Sequence, residues 1–172
     1  MNSTHTNGVC WILTLLICTS LAGAHQNGGK SDQADRIVIL KSARTMTLMN
    51  GSRLLKTYKV ALGGQPIGAK DRIGDHKTPE GSYVVDEKKS VSEFHLALHI
   101  SYPNAADREH ARELGVNPGG DIEIHGLGAR FGWVGGAHRT TDWTDGCIAV
   151  TNEEIEEMFR LVKVGTPVEI RP

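Results

Sequence analysis

The chain has 172 residues, with 19 Lys and Arg against 20 Asp and Glu. This length suits one compact domain and is too short for two of ordinary size. Because the charges nearly balance, no strong field favours nucleic acid or an anionic membrane surface as a partner.

The N-terminal segment has the pattern of an export signal. An apolar run, Val9 to Cys18, is too short to span a bilayer, and Ala22 and Ala24 form an A-x-A cleavage pattern. We therefore predict a signal peptide over residues 1–24, with an uncleaved anchor or a buried helix as the alternative. The polar, glycine-bearing residues 25–35 predict a flexible lead-in. After cleavage we expect no stable membrane span.

Export makes the remaining cysteine unusual. Removal of residues 1–24 also removes Cys10 and Cys18, which leaves Cys147 alone. Exported proteins normally pair their cysteines as disulfides, so a single thiol favours a chemical role. Two alternatives for Cys147 remain at this point: it could be packed in the core as a small apolar side chain, or it could form an intermolecular disulfide.

Short alternating segments predict a series of strands. Asn50-Gly51 is a strong turn signal, because both central residues of a type I′ turn need positive φ. The long segment from Gly63 to Gly81 predicts a loop, and loops of this length are more often functional than idle. The predicted strands lie in "RIVILK" (36–41), the hairpin "TMTLMNGSRLLKTYKVAL" (45–62), "SYVVDEK" (82–88), "FHLALHISY" (94–102), "GGDIEIHGLG" (119–128) and "PVEIRP" (167–172).

Two helices are predicted from their end signals. "NAADREHARELG" begins with Asn104 as an N-cap and ends at Gly115, a typical residue just beyond a helix. "TNEEIEEMFRLV" begins with Thr151 and Glu154 in capping-box spacing, and its apolar residues share one helix face. The predicted fold class is mainly β with two helices, a β-rich α+β domain over residues 36–172.

Cys147 and His125 are the candidate catalytic pair. His125 ends an alternating segment and enters a glycine-bearing loop, 22 positions before Cys147. The thiolate is the nucleophilic form of cysteine, and a neighbouring imidazole can accept the thiol proton. The second ring nitrogen then needs a fixed acceptor, for which a backbone carbonyl and Asp145 are both open. Gly146 would allow close approach of a substrate to backbone N–H groups near the thiol.

These motifs resemble the L,D-transpeptidase catalytic domain (YkuD-type) family. The signature of that family is His-Gly or His-Ser, a variable spacer, and Ser/Thr-x-Gly-Cys followed by an apolar residue. The chain has His125-Gly126 and the stretch Thr144 to Ile148, "TDGCI". Its "GDHKTPEG", Gly74 to Gly81, looks like the family's upstream loop. The resemblance covers residues 36–171 and looks closest to the YafK-like branch.

The resemblance implies a β-sandwich-like fold and chemistry on peptidoglycan stem peptides. Cys147 would attack the carbonyl between an L-centre and a D-residue, His125 would carry the proton, and the Gly146 and Cys147 amides would bind the oxyanion. It implies a thioester that an amine or water resolves, and no cofactor. Transpeptidase activity is the first expectation, and carboxypeptidase or amidase activity, including release of a murein-linked lipoprotein, is the alternative. The implied location is the periplasm or cell envelope.

Several further residues are candidates for the substrate side of the site. We expect Gly126, His138, Arg139 and Tyr102 to border it, although each also has a structural interpretation. A zinc site from His125, His138 and Cys147 has plausible ligand types but matches no zinc spacing, so no metal is predicted. Asp145 would oppose ionisation of the thiol if its charge lies close. A non-catalytic wall-binding domain is the third functional class.

Overall fold

A computed structural model describes Met1 and residues 32–172. Residues 2–24 of the predicted signal peptide and residues 25–31 of the predicted lead-in lie outside the described residues. Within the described part of the chain, every helix is too short or too polar to cross a membrane.

Eight strands form one sheet in the order β3-β2-β1-β8-β4-β5-β6-β7. The sheet is mostly antiparallel, but β1 pairs with β8, and β6 with β7, in parallel. The strands are β1 (Arg36–Leu40), β2 (Thr45–Asn50), β3 (Arg53–Lys59), β4 (Gly81–Ser92), β5 (His95–Ile100), β6 (Glu123–His125), β7 (Ile148–Ala149) and β8 (Pro167–Arg171).

The sheet curls until its two edges approach each other. The start of β4 pairs with β8 and its remainder pairs with β5, so one long strand belongs to both halves. Ala61, just beyond β3, exchanges two backbone hydrogen bonds with Ala149 of β7, at 3.0 and 2.9 Å. Apolar residues of both halves fill the enclosed core. The predicted β-rich fold is confirmed, and the curl brings the Ala61 segment against the strand that follows Cys147.

The β2–β3 hairpin is confirmed, but its turn lies one residue later than predicted. Asn50 pairs with Arg53, so Gly51 and Ser52 are the two loop residues. Gly51 has φ of 57°, whereas Asn50 and Ser52 have no positive φ. A glycine at the first loop position suffices for a type II′ connection, which explains why Asn50 stays in the strand.

The two predicted helices are confirmed, with their caps. Helix α1 (Ala105–Leu114) begins after Asn104, whose side chain accepts the amides of Ala106 and Asp107, and it ends at left-handed Gly115. In the later helix (Asn152–Leu161), the Thr151 side chain accepts the Glu154 amide and Glu154 accepts the Thr151 amide. A cap of this kind stabilises a helix by about 1 kcal/mol.

A helical segment follows β6 where the sequence predicted only a glycine-bearing loop. It consists of α2 (Gly128–Phe131) and a 3₁₀ stretch (Gly132–Thr140) that is kinked at Gly135, and the later helix is therefore α3. Neither piece has a side-chain N-cap. The five glycines between positions 126 and 136 also disfavour a helix by propensity, so no local signal marked this segment.

A buried lysine anchors the long loop between β3 and β4. Lys41 is 2% exposed, and its Nζ donates to the carbonyls of Gly68 and Thr78 and to Glu80 Oε1, at 2.6, 2.8 and 2.7 Å. Three acceptors satisfy the three N–H groups of the ammonium, which a buried charge requires. The loop is therefore fixed to the end of β1.

Asp75 organises the middle of the same loop. It accepts the Lys70 ammonium at 2.7 Å and the amides of Asp71, Arg72 and Lys77 at 2.8, 3.0 and 3.1 Å. Burial alone would raise the pKa of Asp75, but these hydrogen bonds outweigh it and lower that pKa to about 2. The aspartate of the "GDHKTPEG" stretch thus has a structural role inside the loop, where it ties residues 70–72 to Lys77.

Candidate active site

The register of β6 and β7 brings His125 and Cys147 onto one face of the sheet. His125 pairs with Ala149, so continuing the parallel register by two residues sets Cys147 beside Glu123. Side chains of paired residues share a face, and this face is opposite to the core residues Ile124 and Ile148. Strand spacing and rise separate the two Cα atoms diagonally by roughly 8 Å. The structure therefore brings the two predicted residues into one site.

His125 is held as a neutral imidazole with one defined tautomer. It is 1% exposed, and its Nδ1 lies 2.7 Å from the carbonyl oxygen of Gly126. A carbonyl only accepts, so Nδ1 carries the hydrogen and Nε2 keeps its lone pair. Burial lowers the pKa of His125, while the Gly126 hydrogen bond and the charge of Glu123 act in the opposite direction. Of the two orienting partners that the sequence left open, the structure selects the carbonyl.

Cys147 is a free, partly exposed thiol that resists ionisation. Its Sγ lies 3.6 Å from the carbonyl oxygen of Asp121. Burial raises the pKa of Cys147 to about 11, helped by the charges of Glu123, Asp145 and Asp121 and opposed by a hydrogen bond from the Glu123 backbone. The thiol is therefore protonated at neutral pH. The expected influence of Asp145 on the thiol is confirmed, although burial is the larger cause.

Gly146 occupies a position that only glycine fits. Its φ is 128°, and a Cβ built there would lie 2.6 Å from the carbonyl oxygen of Lys77 in the long loop. Its N–H donates to Thr144 Oγ1 at 3.1 Å, and Thr144 Oγ1 donates to the Cys147 carbonyl at 2.7 Å. Of the two amides expected to bind an oxyanion, the Gly146 amide is thus engaged. The Cys147 N–H donates to no acceptor within the described part of the chain.

We expect Asp145→Asn to lower the pKa of the Cys147 thiol. The Asp145 carboxylate is 89% exposed and pairs with His76, so its effect on the thiol acts through water and is small. A unit charge in water at contact distance changes a pKa by at most about 0.7 units. The measurement is the pH dependence of iodoacetamide alkylation of Cys147, and the shift should shrink in 1 M salt.

Glu156→Gln is the matched control for this variant. Glu156 also pairs with an exposed histidine, His95, at 2.8 Å, but its charge does not contribute to the pKa of Cys147. Its alkylation profile should equal that of the unmodified protein. An unchanged or raised thiol pKa in Asp145→Asn would contradict the assigned electrostatics.

An apolar cavity of about 320 Å³ lies beside His125. The ring centroid of Phe94 is 4.3 Å from that of His125, and that of Trp143 is 6.0 Å away, so two cavity walls are also the neighbours of the imidazole. The cavity is lined by Phe94, Leu127, Phe131, Val134, His138 and Trp143. Phe94 and Trp143 thus shield the imidazole of His125, the candidate base, from solvent.

His138 and Arg139 belong to the wall of this cavity and to its support. His138 is 9% exposed and its Nδ1 accepts the Trp143 indole N–H at 3.4 Å, while its Nε2 is buried without a partner among the described residues. Burial lowers the pKa of His138 to about 4, so it is neutral. Arg139 pairs with Glu154 at the start of α3, which ties the 3₁₀ stretch to that helix. Their substrate-binding roles stay predictions.

The remaining predicted residues have mainly structural contacts. Tyr102 is 3% exposed, donates its hydroxyl hydrogen to the Pro118 carbonyl at 2.9 Å and packs edge-on against Tyr83. Gly126 orients His125 through its carbonyl, and its N–H bonds to the Leu96 carbonyl at 3.3 Å. That Tyr102 and Gly126 border the substrate site stays a prediction.

Sequence reasoning missed three residues that shape the site. Phe94 lies against the imidazole, Thr144 bridges Gly146 and Cys147, and Asn152 accepts the Leu127 amide at 2.7 Å. Thr144 stood in the quoted signature, but the identity of a residue does not show which amides its hydroxyl will bind. Asn152 looked like an ordinary first residue of α3.

Among residues 32–172, no three His, Cys, Asp or Glu side chains converge in a way that could hold a metal ion. Burial lowers the pKa of His125 and raises that of Cys147, so at neutral pH the imidazole is neutral and the thiol is protonated.

Comparison with known proteins agrees with this geometry. Residues 34–170 match the family described as the YkuD L,D-transpeptidase catalytic domain. Over 132 residues the chain is 34% identical to the "Putative L,D-transpeptidase YafK" of Escherichia coli K12, covering 73% of this chain and 46% of that protein.

Solved structures show the same fold. The helical cell shape determining protein Pgp2 from Campylobacter jejuni is 25% identical, with a TM-score of 0.61 over 84% of this chain and 52% of that one. An L,D-transpeptidase from Mycobacterium smegmatis, 16% identical, shares the fold with a TM-score of 0.54 over 81% of this chain and 59% of that one. The chain thus spans about half the length of YafK and of Pgp2.

The family match covers most of the chain and includes both β6 and the Cys147 segment. The chain belongs to the L,D-transpeptidase (YkuD-type) family.

Proposed function

We propose that this chain is a cysteine-dependent acyl-transferase that acts on peptidoglycan stem peptides. The observation that carries the proposal is the fixed tautomer of His125. Its Nδ1–H is committed to the Gly126 carbonyl, which leaves the Nε2 lone pair on the sheet face that also bears Cys147. A neutral, buried base next to a protonated thiol is suited to take the proton as the sulfur attacks.

The first half-reaction would form a thioester. The Cys147 proton passes to His125 Nε2 while the sulfur attacks the carbonyl between the L-centre and the D-residue of a stem peptide. The Cys147 N–H, which is free within residues 32–172, would donate to the resulting oxyanion. The imidazolium then protonates the amine of the D-amino acid, the C–N bond breaks, and an acyl-thioester remains on Cys147.

The second half-reaction would return the thiol. An incoming amine loses its proton to His125 and attacks the thioester carbonyl, and the imidazolium protonates the leaving sulfur. Water in place of the amine would give hydrolysis. The apolar walls around His125 favour transfer, because the base is 1% exposed and poorly placed to activate bulk water.

Two further observations support the proposed export to the periplasm and the proposed peptidoglycan substrate. The pattern of residues 1–24 favours delivery to the periplasm, where peptidoglycan is reached. The name of the Campylobacter relative refers to cell shape, which agrees with an enzyme that remodels the wall. A murein-linked lipoprotein is a second proposed substrate, suggested by the resemblance to the YafK-like branch.

Analysis of muropeptide products tests the proposal. Purified protein is incubated with a disaccharide-tetrapeptide, with and without an added D-amino acid, and the products are separated and weighed by mass spectrometry. We expect exchange of the terminal residue or cross-linked dimers, with only a minor trimmed product. Trimmed tripeptide alone would replace transfer by hydrolysis, and unchanged substrate under all conditions would contradict the proposed substrate class.

A further inference from the structure

One peptide unit next to His125 is held at both of its ends. The carbonyl oxygen of the Gly126–Leu127 peptide accepts from His125 Nδ1 at 2.7 Å. The N–H of the same peptide, on Leu127, donates to Asn152 Oδ1 at 2.7 Å. A peptide unit is planar, so a hydrogen bond at its N–H also fixes the direction of its carbonyl.

We propose that Asn152 is a positioning residue for the Cys147–His125 pair. Its amide oxygen holds the Gly126–Leu127 peptide plane, and the carbonyl of that plane sets the tautomer and the orientation of His125. This inference rests on the proposed function for its catalytic meaning, but the tautomer of His125 can be measured without a substrate.

The position of Asn152 is itself well fixed. It is the first residue of α3, directly after Thr151, whose capping box with Glu154 holds the start of the helix. Arg139 binds the same Glu154. In addition, the Val150 amide donates to the His125 carbonyl at 2.9 Å. The connection from β7 to α3 therefore contacts His125 at two points. Val150 binds the backbone carbonyl of His125, and Asn152 binds the Gly126–Leu127 peptide that follows His125.

Two glycines make room for the Asn152 amide. A Cβ built on Gly126 would lie 2.5 Å from Asn152 Oδ1, and one on Gly132 would lie 2.7 Å from Asn152 Nδ2. Real Cβ atoms essentially never come this close, so neither position accepts a side chain without displacing the amide. The glycine after the histidine is thus explained by Asn152 together with the Phe94 carbonyl oxygen, which would lie 2.9 Å from the same Cβ.

The contact has a chemical consequence for proton transfer. When His125 takes the thiol proton, the hydrogen bond from Nδ1 becomes charge-assisted and stronger. A carbonyl whose own peptide N–H is already bonded to Asn152 is a better acceptor, because linked hydrogen bonds polarise each other. Loss of the Asn152 oxygen would free the peptide plane to rotate and would weaken the stabilisation of the imidazolium.

We expect Asn152→Ala to lower kcat by roughly 10- to 100-fold with little change in KM, the range known for groups that orient metal-binding histidines. The Gly126 hydrogen bond raises the pKa of His125, so weakening it should move the acid limb of kcat/KM to lower pH. Histidine ¹⁵N NMR of the substrate-free protein should show a pure Nδ1–H form in the native chain and a tautomer mixture in the variant.

Asn152→Asp and Thr151→Ala separate positioning from helix stability. Asn152→Asp keeps an acceptor oxygen, so we expect the Nδ1–H form and turnover within about threefold of the native protein. Thr151→Ala removes the side-chain cap of α3, at a cost of about 1 kcal/mol. The backbone hydrogen bonds from the Thr151 amide to Glu154 and from the Val150 amide to the His125 carbonyl remain possible, so we expect Asn152 to keep its contact with Leu127. Thr151→Ala should lower the melting temperature and leave the ¹⁵N spectrum and the acid limb unchanged.

The NMR result decides the inference independently of peptidoglycan activity. A pure Nδ1–H form in Asn152→Ala, a tautomer mixture in Asn152→Asp, or equal effects of Asn152→Ala and Thr151→Ala would each overturn it. If the protein fails to process any muropeptide but Asn152→Ala still mixes the tautomers, the proposed function falls and the positioning role stands.

Discussion

Cys147→Ala should abolish turnover of a disaccharide-tetrapeptide, by roughly four to six orders of magnitude, the loss seen when other acyl-transfer nucleophiles are removed. Without the sulfur no thioester can form. The fold should survive, because the thiol is partly exposed and its contact with the Asp121 carbonyl is long, at 3.6 Å. Product analysis and a thermal melt measure the two effects.

Covalent labelling gives this prediction an independent measurement. A carbapenem acylates reactive thiols, so the intact mass of the native protein should increase by one inhibitor, located in the peptide that contains Cys147. Full turnover by Cys147→Ala, or labelling that persists in that variant, would end the proposal of a cysteine nucleophile.

The helix caps and the residues of the candidate pair could be singled out from the sequence because their chemistry restricts residue type, and the catalytic role of the pair stays a prediction. A nucleophile next to Gly146 and a histidine at a strand end are rare combinations, and the register of β6 and β7 then brought them together. Likewise, Asn104 and Thr151 mark helix starts because few residues can accept the free amides there. Both caps are confirmed.

Through-space contacts could not be predicted in the same way. Asn152 lies 25 positions after Leu127, and its contact depends on how α3 packs against the end of β6. The helical segment from Gly128 to Thr140 lacks a cap and is rich in glycine, so tertiary packing overrides local propensity there. The edge-on contact of the buried Tyr102 with Tyr83 likewise depends on how β4 packs against the segment after β5.

His125→Gln should lower kcat/KM by about three to four orders of magnitude, because the amide cannot accept the thiol proton. In the native protein the base works only as neutral imidazole, and burial lowers the pKa of His125 below its usual 6.5. Activity should therefore stay on its plateau below pH 6.5 and fall only when the imidazole becomes protonated. The alkaline limb should lie near pH 11, the pKa of the Cys147 thiol.

Two other histidines serve as controls for the assignment of the base. His110 on α1 pairs with Asp71 and is 52% exposed, so His110→Gln should leave the pH dependence of kcat/KM unchanged. His138 is buried beside Trp143 with a pKa of about 4, and its variant should retain an acid limb set by His125. If the acid limb disappears in His138→Gln and persists in His125→Gln, His138 is the base. In that case the hydrogen bond from His125 Nδ1 to the Gly126 carbonyl would have only a structural role. It contributes to catalysis only if Nε2 of the same ring accepts the proton of the Cys147 thiol.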